Sequence, residues 1–124
     1  MDRHLYICAG AFGFLGVALG AFAAHGLKAT LPPNMLAVFE TGARYQMYHV
    51  FAICAAAWAW ARWPHKIFAA AGWLFAIGIV VFCGSLYVLA LTGAKWLGAI
   101  TPFGGLAFLT GWLCLAVGAW RAKS

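Results

Sequence analysis

The residue in this chain best equipped for chemistry is an imidazole set inside an apolar run. His49 stands in Tyr45-Gln46-Met47-Tyr48-His49-Val50-Phe51-Ala52. Ionisable groups surrounded by hydrocarbon are expensive, so they usually serve a function or hold a partner. Tyr45 lies one helical turn before His49 on the same face, and Gln46 is about 60° away at 100° per residue. His25 and Lys28 follow the preceding apolar run. They fall at the same end of any helical bundle and complete a polar cluster. Such a cluster has three uses: a hydrogen-bonded network that knits helix ends, a binding or proton-handling site, or haem or metal ligation by His25 and His49. The network is favoured, because the sequence has no His-x-x-x-His pair and no inward carboxylate triad to complete a metal site.

Other reaction-grade patterns are missing. There is no phosphate-binding glycine loop, no dinucleotide-binding glycine pattern and no Ser-His-Asp set. Cys8, Cys54, Cys83 and Cys114 fall one per apolar block, without a Cys-x-x-Cys pair or a loop cysteine. They read as small buried apolar residues, with no disulfide relay. We therefore expect no catalytic residue, no metal ligand, no cofactor and no enzymatic activity.

The elements that must carry these residues follow from composition. Of 124 residues, 66% are apolar and 8% charged, with Asp2 and Glu40 the two acidic positions. That is too little charge to cover a water-exposed surface of this size, which makes lipid the solvent. The net charge of +6 comes from cations scattered singly between apolar blocks. With no basic run among them, they are headgroup anchors and argue against a nucleic-acid partner. A bilayer core about 30 Å thick takes roughly 20 helical residues. Four blocks have that length, at about residues 5–25, 45–62, 67–92 and 102–120, and none alternates as a barrel strand would. An interfacial lead-in to the second is expected over about 34–44. The expected fold is thus all-α: one polytopic domain, 1–124, of four transmembrane helices.

Asp2-Arg3-His4 before an apolar run ending Ala21-Phe22-Ala23 has the outline of a cleavable leader, but we expect it to be retained as the first span. With four spans, the side holding both termini and the middle loop carries Arg3, Arg62, Lys66, Arg121 and Lys123. The other carries Lys28, Arg44 and Lys95. Five cations against three favour cytoplasmic termini. Trp63, Trp73, Trp96 and Trp120 fall near span ends, where amphipathic rings belong.

Breakers divide the chain into two halves of similar plan. Gly26 is expected to close the first span in a left-handed conformation, followed by Lys28, Pro32-Pro33 and the cap Asn34. Gly93, Lys95 and Thr101-Pro102 repeat the arrangement, with Thr101 as cap. Inside lipid, helix association depends on small residues that let backbones approach. Ala9, Gly13, Gly16, Gly20 and Ala23 form one seam; Gly104, Ala107, Gly111, Cys114 and Gly118 form another. Their heptad spacing implies a left-handed bundle with crossings near +20°. A third seam, Tyr45, His49, Ala52, Ala56 and Ala59, turns His49 inward.

Four segments together carry a family resemblance. They are Gly20-Ala21-Phe22-Ala23-Ala24-His25-Gly26-Leu27, Arg44-Tyr45-Gln46-Met47-Tyr48-His49, Gly84-Ser85-Leu86-Tyr87 and Ile100-Thr101-Pro102-Phe103-Gly104-Gly105. In this order the chain resembles domain-of-unknown-function family 423, over nearly its whole length. The usual family form has Gly where this chain has Ala23. The resemblance implies a small multi-pass protein of the bacterial inner membrane and supplies no activity. Its motifs fall at the extracytoplasmic helix ends and add Tyr87 and Thr101 to the site. The expected binding cluster is then His25, Lys28, Tyr45, Gln46, His49, Tyr87 and Thr101, with Gly13, Gly16, Gly20, Gly104, Gly111 and Gly118 as packing glycines.

Three functional readings are open to such a chain. The first is a non-enzymatic accessory subunit of a larger membrane complex, or a self-associating protein, with the lipid bilayer as its other partner. The second is a carrier for a small amphiphile or lipid, which requires a cavity lined by His49 and Tyr87. The third is a haem or redox protein using His25 and His49.

Overall fold

A computed structural model describes residues 2–123, and all regular structure among them is helical. Helix α1 runs Asp2–His25, α2 Pro33–Arg62, α3 Lys66–Gly78, α4 Gly84–Thr92 and α5 Thr101–Arg121. A π-helical turn, Ile79–Cys83, joins α3 to α4 without a break. The result is a single rod of 27 residues, Lys66–Thr92. The third block is therefore continuous as expected, with a π turn in its middle that the apolar pattern does not reveal. Such turns widen the helix by one residue and rotate the helix beyond them.

Three of the rods are long and apolar enough to cross a bilayer: Arg3–Ala29, Lys66–Thr92 and Lys95–Arg121. Helix α2 stands outside this set despite its 30 residues, because Asn34, Glu40, Thr41, Arg44, Gln46 and His49 dilute its apolar content. The physical reason is its position. α2 packs against α1, α3 and α4, and its buried face runs from Phe39 to Ala59. Of its polar groups, Gln46 and His49 are enclosed by neighbouring helices, while Asn34, Glu40 and Arg44 stay exposed.

Glycine contacts give the register. A Cβ on Gly13 would meet Val50 at 3.5 Å, and one on Gly16 would meet Met47 at 2.6 Å, while Ala23, Leu27, Phe39 and Ala90 share a cluster at one end. α1 and α2 therefore run antiparallel along their length. α3 and α5 do the same: Gly118 lies on Ile67 and Phe68, Gly111 on Phe75 and Ala71, Gly78 on Phe108, and Gly104 on the backbone of Phe82. α1 and α3 approach at Leu5, which fills the space a side chain on Gly72 would take. The main core gathers Leu5, Ala9, Ile53, Ala56, Phe75, Ile79 and Phe108.

Several local expectations are corrected. Gly26 is right-handed at φ −83°, and it is needed because Phe22 covers it at 2.8 Å from a Cβ position; the left-handed stop is Gly93, at φ +72°. Pro32 replaces Asn34 as the capping residue of α2, and Ile100 replaces Thr101 at α5, because each helix begins earlier than expected. A Cβ on Gly20 would meet nothing within 4 Å, so it takes no part in the close contacts of Gly13 and Gly16. Both halves place a short three-ten turn before their second helix, Leu27–Ala29 and Lys95–Ala99, in keeping with the shared plan.

Candidate functional site

Gln46 is the residue that joins most elements. Its side chain is buried, with Nε2 donating to the Phe12 carbonyl of α1 at 2.8 Å. Its Oε1 accepts from the Tyr87 hydroxyl of α4 at 2.6 Å. One amide thus holds three helices, and both of its ends are used. Glycines make room on either side. A Cβ on Gly16 would stand 3.4 Å from Gln46 Nε2, and one on Gly42 would stand 2.9 Å from the Tyr87 ring. The π turn lies just before Tyr87, and one added residue rotates α4 by about 100°, which sets the face the phenol presents.

His49 is buried in a separate aromatic cage. Trp112 Nε1 donates to His49 Nε2 at 3.1 Å, and His49 Nδ1 lies 2.8 Å from the Tyr45 carbonyl. An indole N–H can only donate and a carbonyl can only accept. The ring is therefore neutral, with its proton on Nδ1. Phe108 stacks on it at 3.5 Å between centroids and 9° between planes, while Phe75 and Tyr45 stand at 5.7 and 6.3 Å. Both nitrogens are occupied, so the imidazole offers no lone pair to a metal. His25 is exposed at the end of α1 and supplies no second ligand. Among the described residues, no three His, Cys, Asp or Glu side chains are grouped to hold a metal ion.

A third polar contact joins the rod to α5. Ser85 and Thr101 share a hydrogen bond between their hydroxyls. Ser85 also reaches the Phe82 carbonyl in the π turn at 2.9 Å, and Thr101 the Leu97 carbonyl at 3.2 Å.

The seven expected residues thus divide. Gln46 and Tyr87 meet; His49 takes the Tyr45 backbone while the Tyr45 ring packs on Phe82 at 5.1 Å; Thr101 finds Ser85. His25 ends α1 and Lys28 lies in the three-ten turn beyond it; both are exposed and take part in none of these bonds. Sequence reading missed Trp112, Phe108, Phe75, Ser85 and the Phe12 carbonyl. Phe108 was legible in one respect: it falls four residues after Gly104 and three before Gly111, on the buried face of α5. His49 and Tyr87 also line different lateral grooves. Tyr45, His49, Phe108 and Trp112 border one of about 290 Å³, and Phe12, Gln46 and Tyr87 another of about 250 Å³. No single cavity among those seen takes both.

A helical membrane protein whose inward polar groups bind helix to helix is the class these features define. Residues 19–105 match the family described as Protein of unknown function (DUF423), and the chain belongs to that family. It is 43% identical to the UPF0382 membrane protein YwdK of Bacillus subtilis, over 93% of this chain and 95% of that one. Identity to a UPF0382 membrane protein of Haemophilus influenzae is 46%, over 90% of each. To the UPF0382 inner membrane protein YgdD of Escherichia coli K12 it is 41%, over 98% of this chain and 93% of the other. No solved structure matches.

Proposed function

We propose that this chain is a four-crossing inner-membrane protein that acts without catalysis, as an accessory or interaction subunit of a larger membrane assembly. The observation that carries the reading is the pairing of the polar groups midway through its interior. Both ends of Gln46, both nitrogens of His49 and the hydroxyls of Tyr87, Ser85 and Thr101 are engaged within the bundle. Groups spent in this way brace helices and are not free to act as base, nucleophile or ligand.

The fourth crossing is supported by register. α2 lies antiparallel along α1 from the Ala23–Phe39 end to the Gly13–Val50 contact and beyond, so it occupies the depth that α1 occupies. Its first turns, about 34–44, then serve as the lead-in at the interface. Outward faces rich in Phe14, Val17, Phe51, Leu106, Leu113 and Val117 are available to lipid or to another membrane helix.

The test is affinity purification of tagged protein from membranes in a mild detergent, with chemical crosslinking before extraction. A reproducible membrane-protein partner, or a crosslinked homo-oligomer, is expected. Recovery as a monomer alone, with no crosslinked species, would overturn the reading. The carrier alternative draws on the aromatic-walled groove beside His49. It gains if a monomer instead retains a stoichiometric amphiphile that substitution of Trp112 releases.

A further inference from the structure

The opposite end of the bundle holds a feature that the polar network does not use. A pocket of about 290 Å³ opens where the turn between α2 and α3 meets the C-terminal turn of α5, and His65, Ile67, Gly118 and Arg121 line it. Two of these four side chains are cationic or basic. Arg62 adds a third basic group nearby, its guanidinium 5.3 Å from the Trp63 ring centre, and Lys66 adds a fourth at the first residue of α3. No ion pair compensates them among the described residues, and the first turn of α3 carries no acidic side chain.

The local backbone has the same polarity. α3 begins at Lys66 with His65 as its capping residue, and no side chain caps its free N–H groups. The positive end of a 13-residue helix therefore faces the corner where His65 and Ile67 border the pocket. Next to it, the Trp63 ring stacks at 5.8 Å on Phe68, and its buried indole N–H has no acceptor. Gly118 shapes the floor, since a Cβ there would run into Ile67 at 2.7 Å and Phe68 at 2.8 Å.

From this arrangement we infer that the corner is a binding site for the phosphate of an anionic phospholipid, with His65 and Arg121 as the residues that recognise it. Position selects a lipid over a soluble anion. The pocket sits at the ends of the apolar rods Lys66–Thr92 and Lys95–Arg121, at headgroup depth, and its remaining walls, Ile67 and Gly118, are apolar. Basic pockets between helix ends on the cytoplasmic side are suited to such headgroups, and the excess of Lys and Arg assigns this end to the cytoplasm. The site is distinct from the Gln46 and His49 network, so it stands or falls independently of the association reading.

The experiment measures thermal stability of the full chain in a neutral detergent, titrated with dioctanoyl phosphatidylglycerol, dioctanoyl phosphatidylcholine or inorganic phosphate. Wild type is expected to be stabilised by the phosphatidylglycerol at concentrations where the other two have no effect. Arg121→Gln should raise the concentration needed by about five-fold, and His65→Ala combined with it by more. Lys123→Gln, outside the pocket lining, should leave it within about two-fold. Equal responses to the two lipids, or equal losses in Arg121→Gln and Lys123→Gln, would refute the site. Stabilisation by inorganic phosphate as strong as by the lipid would refute the lipid assignment. Folding of each variant is verified by its melting point without additive, so an unfolded variant is replaced by Arg121→Lys, which keeps the charge and is expected to weaken binding less than Arg121→Gln.

Discussion

At the scale of single residues, the decisive fact is how Gln46, His49, Tyr87, Ser85 and Thr101 are paired. Gln46 uses its donor on α1 and its acceptor on α4, so removing it strands the Tyr87 hydroxyl as well as the Phe12 carbonyl's extra bond. An unmatched polar group in an apolar interior costs more than a made bond gains. Gln46→Leu and Tyr87→Phe should each lower stability, and the double variant should lose less than the sum. Hydrogen bonds between membrane helices contribute about 0.6–2 kcal/mol, which sets the coupling expected in a double-mutant cycle followed by denaturation in micelles. Additive losses would show that the 2.6 Å bond contributes nothing. His49 was legible in sequence as an inward imidazole, because its seam positions it by helical period. Its partners were not, because Phe108 and Trp112 lie about sixty residues away on a helix whose facing is fixed only by packing.

Whole helices are distinguished by what their glycines touch. Gly104 and Gly20 look alike in sequence, each a member of a small-residue seam. Gly104 rests on the backbone of Phe82, which cannot swing aside, whereas the space beside Gly20 is open. Gly104→Ala should therefore cost about 1–3 kcal/mol through overpacking. Gly20→Ala should fall within about 0.5 kcal/mol of wild type or gain slightly from helix propensity. The measurement is the melting point of each variant in the same detergent. Equal effects would mean that α5 does not lie against the π turn as described. Seam spacing thus identified the glycines of α5, but it assigned Gly20 to a contact that α1 does not make and overlooked Gly42, Gly72 and Gly78. The overlooked three each make room for one large side chain on another helix, Tyr87, Leu5 and Phe108, which spacing along their own helix does not reveal.

For the molecule as a whole, the number of bilayer crossings decides where Gln46 and His49 lie. Apolar length alone supports three rods, and the antiparallel register of α1 and α2 argues for the fourth. The two arrangements differ in a measurable way. With the native cysteines Cys8, Cys54, Cys83 and Cys114 replaced, Thr30→Cys and His65→Cys sit at opposite ends of α2. A membrane-impermeant maleimide applied to intact cells is expected to label Thr30→Cys and spare His65→Cys. Labelling of both from the same side would mean that α2 does not cross. The same result would return Gln46 and His49 to the interface and remove the reason for their pairing.

Composition, segment length and breakers determined by themselves that the chain is helical and built for lipid, since the cost of exposing backbone groups to hydrocarbon leaves few alternatives. Periodicity also determined that His49 turns inward, but it put Tyr45 inward as well, and that ring stays exposed. Only the tertiary structure decided that His49 faces Trp112 and Phe108, that Gln46 and Tyr87 form a separate bond, and that His25 and Lys28 stay outside. The reason is that periodicity fixes the face of one helix, whereas a contact needs the rotation and register of two. Here the π turn at Ile79–Cys83 resets that rotation midway along a rod, and neither residue type nor apolar pattern announces it.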